Sequence, residues 1–203
     1  MMCDETITEQ LRNIKRSLRG VMNGPVSASM REKGLTYKVN FGVELPRLQQ
    51  MAAGLPHTYE LAAALWKEDI RECRLLAGML MPVEAFGDDL AEVWVEQMHF
   101  VEEAECTVMH LFARAPWASD KAFQWIASPH AMHELCGYLL LARLFMQGRE
   151  PGLRDLDEFL DQAATALRSD NLPVARAAYK ALLKLADLGP LQEAAADKVL
   201  AAL

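Results

Sequence analysis

The sequence predicts an all-α chain, and three observations carry that prediction. Ala, Leu, Met, Glu and Lys dominate while β-branched residues are sparse, the composition that helices favour. Apolar positions recur at spacings of three and four, as at Leu61, Leu65 and Trp66 and again at Leu156, Phe159 and Leu160. Pro and Gly punctuate the chain at short intervals, so each periodic run is brief and bounded.

Taken in order, Thr8 is expected to cap a first helix, ITEQLRNIKRSLRGVMN, which Gly24-Pro25 ends. The stretch GPVSASMREKGLTYKVNFGV at 24–43 is the least helical. The expected organisation is a single domain over 1–203, with an N-terminal helix at 1–24, an irregular connector at 25–43 and paired helices over 44–203. ELPRLQQMAAG carries Pro46 near its first turn and Gly54 at its end. LPHTYELAAALWKE follows, and DIRECRLLAGMLM opens on Asp69 as a cap and stops before Pro82. GDDLAEVWVEQM has acids in its first turn, where the helix dipole favours them. EEAECTVMHLFARA, SDKAFQWIAS, PHAMHELCGYLLLARLFMQG, GLRDLDEFLDQAATALRS, DNLPVARAAYKALLKLADLG and PLQEAAADKVLAAL complete a set of about ten helices. They pair into helix–turn–helix units of about 35–40 residues, the period of a HEAT-like α-α superhelix (α-solenoid), in which each pair buries its apolar face against its neighbours. An irregular helical bundle is the alternative. A superhelix offers a partner its curved inner face, so the architecture points to binding before it points to any reaction.

Composition narrows the functional classes. No apolar run reaches the ~18 residues of a membrane span; the longest candidate, LCGYLLLARLF at 135–145, is interrupted by Arg143, so no membrane partner is expected. The opening MMCDETITEQ is acidic and polar, unlike a secretory signal. Cys3, Cys73, Cys106 and Cys136 are far apart with no CxxC pair, the pattern of free thiols in a reducing cytoplasm. The net charge of −7 argues against a broadly basic, nucleic-acid-binding surface and leaves room only for a local basic face. There is no P-loop, dinucleotide fingerprint, HExxH or nucleophile elbow, and no cofactor is expected.

The stretch HFVEEAECTVMH at 99–110 concentrates two histidines, three glutamates and a cysteine. One helix cannot wrap four ligands around an ion, because their faces diverge, so a metal site would need His130 and His133 from elsewhere. Glu102 and Glu105 share a face three residues apart; they read either as a solvated helix start or as ligand-facing carboxylates. The connector carries Arg31, Lys33, Tyr37, Lys38 and Asn40. A long polar segment in an otherwise helical chain is often functional, and Tyr37 would stack on a ring; the other reading is an ordered wrap whose Phe41 and Val43 plug the core. Arg12, Lys15, Arg16 and Arg19 stripe the first helix, for phosphates or for solvent. Trp66 and Trp94 read as core.

Three segments, in order, resemble the AlkD-type DNA alkylation repair family: NFGVELPRLQQMA (40–52), ELAAALWKEDIRECRLLAGML (60–80) and WVEQMHFVEEAECTVMHLF (94–112), with a diffuse likeness from about residue 30 to about residue 185. The resemblance implies a HEAT-like solenoid, alkylated duplex DNA as the partner, and a DNA glycosylase reaction on cationic alkylated purines. In that reaction aromatic faces and a carboxylate stabilise positive charge as the glycosidic bond breaks. Carried over residue by residue, the family's first catalytic Trp falls on Val101 and its Asp on Glu105. The second aromatic falls near Lys180, beside Tyr179, and an arginine pair near His133-Glu134. Val removes a π face, and a lysine repels a cationic substrate. The expectation is therefore a divergent member with lost or altered glycosylase chemistry, its candidate catalytic residue Glu105 and its candidate ligand or DNA contacts Tyr37, Lys38, Asn40, Arg31, Glu102, His133 and Lys180. The rival expectation is a non-enzymatic scaffold that holds a protein or peptide in its concave groove.

Overall fold

A computed structural model describes residues 6–203, which leaves Cys3 outside the described residues. Twelve α-helices and two 3₁₀ turns make up the described chain, and its one β-type contact is an isolated bridge between Val39 and Ile70. The all-α expectation holds, with two more helices than the ten expected. The chain divides into two compact units, Met1–Phe86 and Gly87–Leu203.

The first unit holds α1 (Ile7–Gly20), α2 (Gly24–Glu32), α3 (Leu45–Ala52), α4 (Tyr59–Trp66) and α5 (Arg71–Leu80). Helix α1 starts at Thr6 rather than at the expected Thr8. The Thr6 hydroxyl accepts from the Glu9 N–H at 3.3 Å and the Glu9 carboxylate accepts from the Thr6 N–H at 3.1 Å. This reciprocal cap needs an acid three residues on, and Thr8 has Leu11 there. The connector expected at 25–43 is corrected in its first part, because Gly24-Pro25 opens a helix instead of only closing one. The Asn23 side chain accepts from the Val26 N–H at 3.2 Å and Pro25 occupies the first turn, where its missing N–H costs nothing.

Helix α5 is the centre of this unit; apart from Arg74 it is buried along its length, and α3 and α4 pack on it. Its start is not capped by Asp69, which is exposed and pairs with Lys38 at 3.7 Å. The Val39 carbonyl takes the Arg71 N–H at 3.0 Å and so supplies the acceptor that a side-chain cap would have given.

Residues 39–43 are then clamped onto α5. Glu72, fully buried, accepts the Phe41 N–H at 3.1 Å on one oxygen and the Val43 N–H at 3.2 Å on the other. Arg71, 3% exposed, donates to the Val43 carbonyl at 2.9 Å and to Glu72 at 3.2 Å. Gly42 bends the strap at φ +72; a side chain there would lie 2.2 Å from the Asn23 carbonyl, so the close approach requires glycine.

The second unit holds α6 (Asp88–Glu96), α7 (Val101–His110), α8 (Ala118–Ile126), α9 (Ala131–Met146), α10 (Leu153–Ala166), α11 (Leu172–Ala186) and α12 (Pro190–Ala201). Helix α9 is its axis, touching α6, α7, α8 and α11. Its apolar residues face in several directions, as expected of a helix surrounded by others. Gly137 lets α8 approach, since a Cβ there would meet the Ile126 backbone nitrogen at 2.7 Å. Phe112, Trp117 and Trp125 form a ring cluster with centroids 5.5–6.2 Å apart. The buried thiols of Cys73 and Cys136 are pushed up by burial, Cys73 to about 12, which makes them inert packing groups. Among the described residues no helix is long and apolar enough to cross a membrane.

Candidate functional site

The 99–110 stretch separates into two roles once α7 is formed. Glu103 is 1% exposed, and one of its oxygens accepts the N–H groups of His99 at 2.8 Å and Phe100 at 3.3 Å. That carboxylate, buried, secures the entry to the helix. Ala104, Cys106, Thr107 and Val108 turn into the core. Val101 and Glu105, four residues apart on one stripe, stay exposed. Glu102 lies half-buried on a neighbouring stripe.

Val101 and Glu105 line a cleft of about 350 Å³ with Leu135 and Leu139 of α9 and Pro173, Arg176, Ala177 and Lys180 of α11. Helix α11 reaches it because Asn171 caps its first turn, accepting from Val174 N–H at 3.4 Å, with Pro173 pre-set for a helical start. The floor is aliphatic: Leu135, Leu139 and Ala177 are 3%, 6% and 5% exposed. The rim is charged. Glu105, Arg176 and Lys180 are exposed, and none of their side chains has a hydrogen bond or ion pair to another described residue. The residues that the resemblance put at the family's Trp, Asp and second-aromatic positions, namely Val101, Glu105 and Lys180, thus lie in one cleft. No aromatic side chain lines it. Such a site offers two cations to an anion, one carboxylate to an N–H donor, an apolar surface to a flat ring, and no π face to a cation. Arg176 was missed by the sequence reading; its signal is the four-residue spacing to Lys180 on one helix face.

His133 lies elsewhere. It is 8% exposed, and its Nε2 lies 3.0 Å from Glu92, whose other oxygen accepts from Lys121 at 2.8 Å and from the Trp125 indole at 2.9 Å. Asp88 adds a 3.4 Å contact to Lys121. Burial alone would push the Glu92 carboxyl up; the hydrogen bonds from Lys121 and Trp125 and the charges of Lys121 and His133 outweigh it and hold it below its ordinary value. This cluster ties α6 to α8 and α9. His110, at the end of α7, has its pKa lowered by burial, then by the Arg143 and Arg114 charges. Among the described residues no group of three or more His, Cys, Asp and Glu is placed to hold a metal ion.

The candidates in the first unit have local partners or lie in the open. Tyr37 is 8% exposed, inside the unit's core. The Asn40 side chain accepts from Gly42 N–H at 2.8 Å and faces the Met30 sulfur at 3.5 Å. Lys38 and Arg31 are exposed. In the stripe on α1, Lys15 pairs with Glu68 at 2.6 Å while Arg12, Arg16 and Arg19 are exposed.

A family model described as DNA alkylation repair enzyme matches residues 14–186. No curated protein matches the chain. One solved structure, described as a new family of proteins related to the HEAT-like repeat DNA glycosylases with affinity for branched DNA structures, superposes with a TM-score of 0.81. The match covers 93% of this chain and 80% of that one at 15% identity, which establishes a shared HEAT-like helical fold.

Proposed function

The chain belongs to the DNA alkylation repair enzyme family, and from that premise we propose that it is a DNA-binding member that recognises branched structures and does not excise cationic alkylated bases by the family's aromatic-clasp route. The observation that carries this reading is the cleft between α7, α9 and α11, where a carboxylate and two cations stand unpaired over an aliphatic floor. A cationic purine needs an aromatic face and a nearby carboxylate; here only Glu105 would serve it, and Arg176 and Lys180 oppose it. A phosphate backbone meets those two cations favourably. The affinity for branched DNA described for the protein of similar fold agrees with it.

The test is direct. Fluorescence anisotropy at low salt is expected to show tighter binding to a three-way junction than to the matched duplex. Release of N7-methylguanine or N3-methyladenine from alkylated DNA is expected to stay at background. Efficient release that disappears in Glu105→Gln would overturn the non-excising half of the reading, and failure to bind any DNA would overturn all of it. The second reading, a protein or peptide partner, is favoured by Leu172, Tyr179 and Leu183, which leave α11 61%, 46% and 41% exposed on one stripe. It takes precedence if DNA binding fails.

A further inference from the structure

We propose that the α7–α9–α11 cleft holds one extrahelical nucleotide, its base uncharged and bearing an exocyclic amino group, taken from the branch point of the DNA. This rests on the DNA-binding reading and says what enters the site.

Three features of the cleft select that occupant. Its volume, about 350 Å³, stands at the small end of ligand sites, which suits a single nucleotide. The floor of Val101, Leu135, Leu139 and Ala177 is aliphatic, so a base covers it by burying apolar surface rather than by stacking on a ring. Such a floor favours a neutral base, since a cationic one would give up hydration without gaining a π face. The rim completes the match. Arg176 and Lys180 stand on the same side of α11 and are free to take the nucleotide's phosphate. Glu105, across the cleft on α7, can only accept, so it meets an amino group; a carboxylate accepting from cytosine N4 is a standard base-edge pairing. A branch point supplies such a nucleotide at low cost, because unpaired bases need little further unstacking.

The test uses the whole chain and a three-way junction carrying one unpaired 2-aminopurine, an amino-bearing fluorescent base, at the branch. On binding, emission is expected to rise severalfold, as an unstacked base on an aliphatic floor loses its quenching neighbours. Val101→Trp puts an indole into the cleft and is expected to lower that emission per molecule of junction bound, the bound fraction being read by anisotropy in the same titration. In parallel, junctions with an unpaired cytosine or an abasic residue at the branch are compared. Wild type is expected to prefer cytosine by about 10-fold, the scale of a hydrogen bond to a charged group, and Glu105→Ala is expected to remove most of the preference. Equal binding of cytosine and abasic junctions, or emission that Val101→Trp leaves unchanged, overturns the inference and leaves DNA binding standing. Absence of junction binding by wild type overturns the inference together with the reading it rests on.

Discussion

Arg71 and Glu72 in the first unit, and Glu105, Arg176 and Lys180 in the second, both set opposite charges close together, and the chain uses them in opposite ways. The first pair is 3% and 0% exposed, and its contacts are directed at the backbone of 41–43. The second set is exposed and has no partner among the described residues. A buried charge is held by every hydrogen bond around it and has nothing left for a ligand. An exposed charge over an apolar floor costs the fold little and remains available. Charge type and spacing in the sequence do not distinguish the two cases; burial does.

The strongest way to break this comparison is Glu72→Ala. It takes the Glu72 carboxylate away from buried Arg71 and strips acceptors from Phe41 and Val43, so a loss of about 3–5 kcal/mol is expected in denaturant unfolding. A loss below about 1 kcal/mol would mean that the clamp is dispensable. Gly137→Ala probes whether the second unit is held by close packing instead. The added methyl meets the Ile126 backbone at 2.7 Å and is expected to cost about 1–3 kcal/mol, while the same change at Gly20, with nothing within 4 Å, is neutral to stabilising.

Acidification sharpens the contrast further. His110 titrates below its ordinary value of 6.5 in the folded state, so its contribution is present above pH 6.5 and lost as pH falls below it. Glu92, also lowered, adds a loss as pH falls below 4.5. Glu134 is raised by burial and works in the opposite sense, favouring the fold as it protonates. The second unit is expected to lose stability in two acid steps, of which His110→Asn removes the first. Thermal melting followed from pH 8 to about 3 reads both. The smallest stability effect is expected at the cleft itself: Glu105→Gln and the Arg176→Gln/Lys180→Gln pair should each change unfolding by no more than about 0.5 kcal/mol, while the pair weakens junction binding and lowers the salt dependence by about two phosphate contacts.

Helix identity and most boundaries were legible because Pro, Gly and the three-and-four periodicity are local signals. Helix α2 was not, since Gly24-Pro25 is at once the end of one helix and the first turn of the next, and only the Asn23 cap tells the two apart. The clamp was hidden because Arg71 and Glu72 have the appearance of any charged pair on a helix, and their burial depends on a strap about 30 residues earlier. At the site, the family register brought Val101, Glu105 and Lys180 to one place. It also put weight on His133, which the structure gives to Glu92, because a register cannot say which neighbour a side chain will choose. Arg176 needed only the step from Lys180 to the residue one turn earlier.

The strap at 39–43 carries one more consequence. It is non-helical, yet the amides of Phe41 and Val43 are held by a carboxylate with no exposure to water. In hydrogen exchange they should outlast the fraying ends of α2 and α3 and open only with α5 itself. Closing that strap joins residues 29 and 31 apart in sequence, a non-local step alongside the packing of α1 on α4. The first unit's folding rate should therefore follow the formation of this contact more closely than the growth of any helix.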